Sequence, residues 1–411
     1  MMLIKEISMN DRKEIERQFE IIKRNTVDVI EEEELKKKLE RSLSTGKPLR
    51  VKYGIDPTSP DIHIGHMVVI RKLREFQNLG HKVFFLIGDF TARIGDPTGR
   101  NETRPILSRE EIKKNLTNYV EQVSRVLDVH KAEFVYNGNW LSILSIEEFI
   151  KIASCFTVAQ ILERDDFSAR YKSGKAIYFH EFMYPLFQGY DSVVLESDIE
   201  IGATEQKFNL LAGRALQEFF GQEKQVVITM PILVGTDGKL KMSKTYKNHI
   251  PVSTTPDDMF GKIMSIPDTL MQSYASLLTD IDMKSFQRLV KESPRKAKAH
   301  LARNIVSQFF GEQEAEKAED TFDRVFKEKQ LPEEIPIIEI EEKKLGGKKA
   351  NIVDILFVAG LVGSKSEAKR MIQQNAVKID GHTMSDINAE IEINGKIVKV
   401  GKRKFAKITI V

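Results

Sequence analysis

The chain has 411 residues, 41% of them hydrophobic and 30% charged, with 63 Lys or Arg against 60 Asp or Glu; at about 150 residues per domain this predicts two or three domains. One cysteine, Cys155, excludes an intrachain disulfide and any multi-cysteine metal centre, and no apolar run approaches the roughly 18 residues that span a bilayer. Residues 1–19 carry Lys5, Glu6, Asp11, Arg12, Lys13, Glu14, Glu16 and Arg17, which leaves no apolar stretch for a secretory leader, so a cytoplasmic protein without a membrane partner is expected.

Taken in chain order, residues 51–55 and 83–88 are apolar runs of strand length. Between them, 66–79 places Val69, Ile70, Leu73 and Phe76 on one helical face, which makes a βαβ unit. Further strands are predicted at 134–136, 193–195 and 226–229, alternating with helical stretches. That order predicts an α/β fold on a parallel, doubly wound sheet, ending near 253. From 254 to 332 the pattern turns helical, with Leu301, Ile305, Phe309, Phe322 and Val325 as apolar positions. Residues 333–348 are acidic, end in Gly346-Gly347, and read as a linker. A third domain, 349–411, closes the chain. From 346 onward there are 12 Lys or Arg against 6 Asp or Glu, the mark of a polyanion partner, most often nucleic acid, or of a solvated basic face.

Two segments carry chemistry. Asp56-Pro57-Thr58-Ser59-Pro60-Asp61-Ile62-His63-Ile64-Gly65-His66 runs from a strand end through a turn into a helix, where ligands of open parallel sheets bind. His63 and His66 share one side of the first helical turn, where free amide groups already favour phosphate. Gly65 removes the side chain between them, so a flat base can reach the backbone. By themselves the histidines read either as phosphate contacts or as helix-start packing. Much later, Asp237-Gly238-Lys239-Leu240-Lys241-Met242-Ser243-Lys244-Thr245 opens on an Asp-Gly turn, so Lys241 and Lys244 can reach one polyanion from a loop or simply face solvent.

A histidine signature after the first strand and Lys-Met-Ser-Lys after a late one together resemble the nucleotide site of class I aminoacyl-tRNA synthetases. A third segment narrows the likeness. Tyr184, Gln188 and Asp191 stand at i, i+4 and i+7 among Met183, Leu186, Phe187 and Tyr190, a polar stripe needing hydrogen-bond partners. They lie in Tyr184-Pro185-Leu186-Phe187-Gln188-Gly189-Tyr190-Asp191-Ser192, which with Gly202-Ala203-Thr204-Glu205-Gln206-Lys207-Phe208-Asn209 closely resembles bacterial tyrosyl-tRNA synthetases. The resemblance runs through most of the chain, including Gly54-Ile55-Asp56-Pro57-Thr58, Ile94-Gly95-Asp96-Pro97-Thr98-Gly99 and the tail.

That resemblance implies a Rossmann-type catalytic domain, a helical anticodon-side domain and a small S-four type RNA-binding domain of α+β build. It implies activation of L-tyrosine by ATP and transfer of tyrosine to tRNA(Tyr), by a homodimer. Tyr184 and Gln188 are assigned to the substrate ammonium and Asp191 to the phenol, with Asp96 and Gln206 completing the pocket. Thr58, His63, His66, Lys241 and Lys244 are assigned to the reacting phosphates, and Asp56, Gly65, Glu205, Lys244 and Thr245 to ATP. Arg100 and Arg104 occupy positions that bear basic residues near the phosphates. Mg2+ is expected to ride on the nucleotide, with no protein metal site and no tightly bound cofactor. In the tail Ser364 and Glu367 are spaced as a capping box, and Lys365, Lys369, Arg370, Lys399, Lys402, Arg403, Lys404 and Lys407 fit phosphate contacts to RNA.

Four positions depart from the family. The usual Gly-Gly-Thr-Asp-Gln reads Gly202-Ala203-Thr204-Glu205-Gln206, lengthening by one methylene the carboxylate expected on the ribose. Lys52 stands where some tyrosyl enzymes place a tyrosine on the phenol, leaving Asp191 alone or with another partner there. Thr245 replaces serine and keeps the hydroxyl. Two other readings fit the same residues, a paralogue charging a different acceptor and a silent RNA-binding protein on the same fold.

Overall fold

Six short runs rich in Val, Ile and Phe pair into one sheet: β1 (Asp28–Ile30), β2 (Arg50–Ile55), β3 (Lys82–Ile87), β4 (Ala132–Tyr136), β5 (Ile199–Ala203) and β6 (Val226–Met230), in the order β1-β6-β5-β2-β3-β4. The structure, a computed structural model, describes residues 8–98, 107–116, 119–327, 336–345, 347, 349–401 and 404–411. All neighbours in the sheet are parallel except β1, which runs antiparallel on the edge against β6. Residues 83–87 of β3 and all of β6 are buried, as strands covered by helices on both faces must be. Chain order runs outward from β2 through β3 to β4 on one side and from β5 to β6 on the other. The carboxyl ends of β2 and β5 therefore flank the crevice where such sheets bind ligands.

The strand expected at 193–195 is instead the end of helix Phe179–Val194, and the strand forms at Ile199–Ala203. Three consecutive apolar residues do not distinguish a buried strand from the last turn of a helix. Here Val193 packs beside Leu186 and Leu216, and the chain reverses through Glu196 in the left-handed region. The edge strand β1 is too short to leave a pattern in the sequence.

Helix Ile64–Asn78 follows β2 and buries Val69, Ile70, Leu73 and Phe76 as their spacing predicts, together with Met67 and Val68. Each such side chain contributes about 2 kcal/mol of burial. Lys72 is also buried, and its three protons are shared among four acceptors, the carbonyls of Ile21, Ile22 and Arg24 at 3.0, 3.1 and 2.8 Å and Glu75 at 2.5 Å. It thereby closes the end of the leading helix Met9–Lys23, where free carbonyls and the helix dipole favour a cation.

Helices Pro256–Met264, Met271–Leu278, Met283–Glu292 and Pro294–Phe310 follow, with Leu301 and Ile305 fully buried and Phe309 half-buried. Thr255 caps the first of these, accepting from the Asp258 N–H at 3.3 Å, and Pro256 sits where its missing donor is harmless. Arg71 and Arg74 of helix Ile64–Asn78 reach Asp280 at 2.6 and 2.9 Å. These four helices belong with the sheet to one compact unit, Met1–Glu316, and the rest of the chain forms a second, Lys317–Val411.

In the second unit, β7 (Ile337–Ile340), β8 (Lys349–Asn351), β9 (Val377–Ile379), β10 (His382–Met384), β11 (Glu390–Glu392), β12 (Ile397–Val400) and β13 (Lys404–Ile410) make a five-stranded sheet, β10-β9-β12-β13-β7, and a two-stranded one, β11-β8. The stretch read as a linker thus supplies β7, parallel to β13, because Ile337, Ile338 and Ile340 stand among its glutamates. Helices Ile352–Val358 and Lys365–Gln373 cover a core that includes Ile355, Leu356, Ile372 and Val398.

Candidate active site

Beyond β2 the chain makes a tight turn, with the Thr58 N–H donating to the Asp56 carbonyl at 2.8 Å. Short helices Arg109–Leu116 and Tyr119–Ser124 hold it from outside. Asn115 donates to the Pro57 carbonyl, Tyr119 to that of Ser59, and Gln122 bonds both Pro60 and Ile62. His63 then takes an extended conformation as the cap of helix Ile64–Asn78. Its ring lies 3.9 Å from that of His66, centroid to centroid. His66 Nδ1 lies 3.3 Å from both the N–H and the carbonyl of His63, so it accepts from the one or donates to the other according to its tautomer. Burial drives the His66 pKa down to about 4, opposed by the His63 backbone and helped by Lys244. Burial, His66, His249 and Lys244 push His63 the same way. Both shifts favour the neutral imidazole, which keeps one N–H to donate. Gly65 is fixed by this stack, since a Cβ there would meet His63 Nδ1 at 2.9 Å and Met242 Cβ at 3.6 Å.

Met242 arrives from the second motif. Past β6, a narrow turn is closed by the N–H of Gly235 on the Leu240 carbonyl and that of Met242 on Leu233, both at 2.8 Å, with Gly238 left-handed at its tip (φ +74°). Asn248, 3% exposed, ties the turn together. Its amide donates to Asp237 and the Lys241 carbonyl, each at 3.1 Å, and accepts from the Ser243 N–H at 2.8 Å. The chain then pairs with the first motif: the Ile64 N–H donates to the Ile250 carbonyl at 3.0 Å and the Val252 N–H to that of Ile62 at 2.9 Å. Lys244 Nζ reaches Ser59 Oγ at 3.0 Å and Asp61 at 3.3 Å, and Lys241 Nζ reaches Glu205 at 2.6 Å. Lys244 lies close enough to both imidazoles to lower their pKa, so the two motifs meet here, while Lys241 turns to Glu205. Thr58 and Thr245 are exposed.

The third segment lies on helix Phe179–Val194, which puts Tyr184, Gln188 and Asp191 on one stripe. The Tyr184 hydroxyl donates to Asp56 at 3.0 Å, and the other Asp56 oxygen accepts from Thr91 at 2.7 Å. Asp191 is 2% exposed and accepts from Trp140 Nε1 at 2.8 Å and Asn137 Nδ2 at 3.2 Å. Burial pushes its carboxyl up to about 7; Lys52 and these two donors pull it down, and Glu200 adds to the rise. Asp96 accepts from the Thr98 N–H at 2.9 Å and hydroxyl at 2.5 Å. Gln206 accepts from the Ala203 N–H at 3.1 Å.

Lys52 has no donor to spare for a phenol. Its three protons go to the Gln188 carbonyl, Ser192 Oγ and Glu200, at 2.9, 2.6 and 3.0 Å, which exhausts an ammonium. Arg100, Arg104, Lys402 and Arg403 lie outside the described residues. In the second unit Lys365, Lys369 and Arg370 are exposed on one helix above buried Ala368 and Ile372. Lys365 pairs with Asp354 at 2.6 Å. Ser364 caps that helix, but Glu367 turns back to the Gly363 N–H at 2.7 Å rather than to Ser364.

Four site residues escape a reading of the sequence: Asn137, Trp140, Arg164 and Asn248. Asn137 and Trp140 follow β4 at the sheet's ligand-binding end, a position that alone could have marked them. Arg164, 5% exposed, donates to Thr98 Oγ1 at 2.7 Å and Asn209 at 2.6 Å, bracing the turn that holds Asp96. Asn248 stands just past the lysines and looks like any loop asparagine.

A family model described as tRNA synthetases class I (W and Y) matches residues 43–327, and one described as Tyrosine--tRNA ligase SYY-like C-terminal domain matches 328–408. Proteins named Tyrosine--tRNA ligase from Carboxydothermus hydrogenoformans and Thermotoga maritima are each 51% identical over 96% of this chain and 98% of their own. Among solved structures, a C-terminally truncated mitochondrial tyrosyl-tRNA synthetase of Aspergillus nidulans superposes with a TM-score of 0.64 at 21% identity, covering 78% of this chain and 100% of that one. The Archaeoglobus fulgidus tyrosyl-tRNA synthetase complexed with L-tyrosine gives 0.59 at 23%, covering 74% and 99%. Both share the fold.

Proposed function

The chain belongs to the bacterial tyrosine--tRNA ligases, a family of class I tRNA synthetases, and from that premise we propose how its own side chains carry the reaction. The reaction joins L-tyrosine to ATP as tyrosyl-adenylate, releasing pyrophosphate, and then moves the tyrosyl group to the 3′ end of tRNA(Tyr). The attacking carboxylate is already anionic, so no general base is required. What is required is alignment and neutralisation of charge growing on the phosphates.

His63 and His66 meet the phosphates as neutral hydrogen-bond donors, with Thr58 beside them. Cationic charge comes from Lys241 and Lys244. Their ion pairs, with side chains roughly a third exposed, are worth under about 1 kcal/mol, so a triphosphate displaces Glu205 and Asp61 readily. Gly65 and Asp56 receive the nucleoside, with Glu205 on the ribose and Thr245 at the rim. Mg2+ enters on the phosphates; among the described residues no three His, Cys, Asp or Glu are grouped to hold a metal. Tyr184 and Gln188 take the substrate ammonium, with Asp96 and Gln206 completing the pocket. Asp191 takes the phenolic hydroxyl, and phenylalanine would leave that buried acceptor without its donor.

Lys365, Lys369 and Arg370 grip tRNA phosphates without reading sequence. The homodimer is supported by Ile143, Ile146 and Ile150, exposed by 81, 79 and 61%, an apolar surface of the kind an interface covers; sedimentation at micromolar concentration tests it. The setting is the cytoplasm, where tRNA is found, and among the described residues no helix is long and apolar enough to cross a membrane. The observation that carries this reading is the backbone pairing of residues 62–64 with 250–252, which supports a single nucleotide site built from both motifs. Pyrophosphate exchange over a panel of amino acids, with and without tRNA, tests it. Exchange with tyrosine alone is expected, and exchange with another amino acid, or with none, refutes it.

A further inference from the structure

β2 and β5 are parallel neighbours in register at Lys52 and Glu200, so these side chains leave the same face of the sheet, beneath helix Phe179–Val194. Each is 1% exposed. Besides Lys52, the Glu200 carboxylate accepts from Gln188 Nε2 at 3.1 Å, Ser192 Oγ at 3.0 Å and Gln225 Nε2 at 2.5 Å. Stability alone does not call for such a pair, because desolvating two ions offsets their attraction and an apolar pair of equal volume fills a core as well. The contacts show what the pair does instead. Lys52 fixes the main chain of Gln188 and Glu200 fixes its side-chain amide, so both ends of one residue are held from below. The charged groups facing Asp191 are these same two, from β2 and β5, while Trp140 and Asn137 after β4 face it as neutral donors.

We propose that the buried Lys52–Glu200 pair is the positioning device of the tyrosine pocket, holding Gln188 and balancing the charge on Asp191 without touching substrate. This rests on the assignment of Gln188 and Asp191 to tyrosine. Desolvation favours keeping both ions or neither, so losing one partner destabilises the fold more than losing both, while the loss of either frees one end of Gln188.

The test uses the full chain with Lys52→Met, Glu200→Gln and the double variant, and Asp191→Asn as the control on the assignment. Pyrophosphate exchange is measured against tyrosine, phenylalanine and ATP across pH. Each single variant is expected to raise KM for tyrosine about tenfold or more with KM for ATP changed less than about twofold, the signature of lost binding at one substrate only. The pH limb set by Asp191 moves up in Lys52→Met, which loses a favourable cation, and down in Glu200→Gln, which loses a like charge. The double variant, with neither ion of the pair left alone, keeps the fold even where a single one does not, and its tyrosine KM stays raised about tenfold or more because both holds on Gln188 are gone. A merely structural pair would lower thermal stability and active fraction while leaving KM and both limbs in place, and that result overturns the inference. If Asp191→Asn keeps its preference for tyrosine over phenylalanine, the pocket assignment falls and the inference with it. Unchanged tyrosine KM in the Lys52 and Glu200 variants, with that preference lost in Asp191→Asn, sinks the inference alone.

Discussion

Replacing Asn248 by Ala removes the tie that shapes the lysine turn. The amide makes one bond to the Asp237 carboxylate, one to the Lys241 carbonyl and one from the Ser243 N–H. At about 1 kcal/mol each, with water able to reach the freed groups once the side chain is gone, the loss is about 2–3 kcal/mol of turn geometry. In the role proposed for them the lysines meet charge that develops only in the transition state, so this loss is expected in the rate, about 30- to 150-fold at 1.36 kcal/mol per decade. Single-turnover adenylate formation, followed by quenching and by pyrophosphate release, measures it directly. Tyrosine binding is expected to change less than about twofold, because Asn248 touches none of the pocket residues. Equal losses in rate and tyrosine affinity, or a rate within about threefold of the parent, would refute the reasoning.

Other expectations follow from the same geometry. His66→Ala is expected to slow adenylate formation by about 100-fold with little change in tyrosine binding, because a neutral donor aimed at phosphate acts when charge builds there; rapid quench and equilibrium titration separate the two. His81 accepts the Leu49 N–H on Nδ1 and bonds Gln18 through Nε2, and burial lowers its pKa from 6.5 to about 4. Its neutral form therefore adds stability that is complete above pH 6.5 and is lost as pH falls toward 4, on the order of 3 kcal/mol in all. His81→Gln should flatten the fall of denaturant midpoint over that range, and an unchanged slope would show that the group does not carry it. Ending the chain after Gly347 should leave tyrosine-dependent pyrophosphate exchange intact and abolish tRNA charging; loss of exchange as well would show that the first unit depends on the second.

Strands β2 and β3 were legible to within a residue or so, because continuous apolar runs with abrupt ends leave little choice. Helix Ile64–Asn78 was equally plain from Val69, Ile70, Leu73 and Phe76. The segment at 193–195 was misread because local composition carries no record of the neighbours that make Val193 helical. The histidine and lysine motifs were readable since their chemistry resides in residue type and close spacing. Arg164, Asn137 and Trp140 were not, for each acts on a partner at least 45 residues away in the chain. Lys52 was flagged as a departure, but its burial was invisible. A lysine in a strand looks solvated until the register sets a glutamate beside it.

The leading helix and the histidine-bearing helix share one positive charge, that of Lys72. If residues 9–23 peel away, that ammonium forfeits three acceptors and keeps only Glu75, so it must swing toward water and drag its own helix out of place. His66 sits less than two turns upstream on the same rod. A nick or a bulky fusion near the front of the chain would therefore reach the His63–His66 stack as a mechanical pull, delivered by a residue outside both motifs.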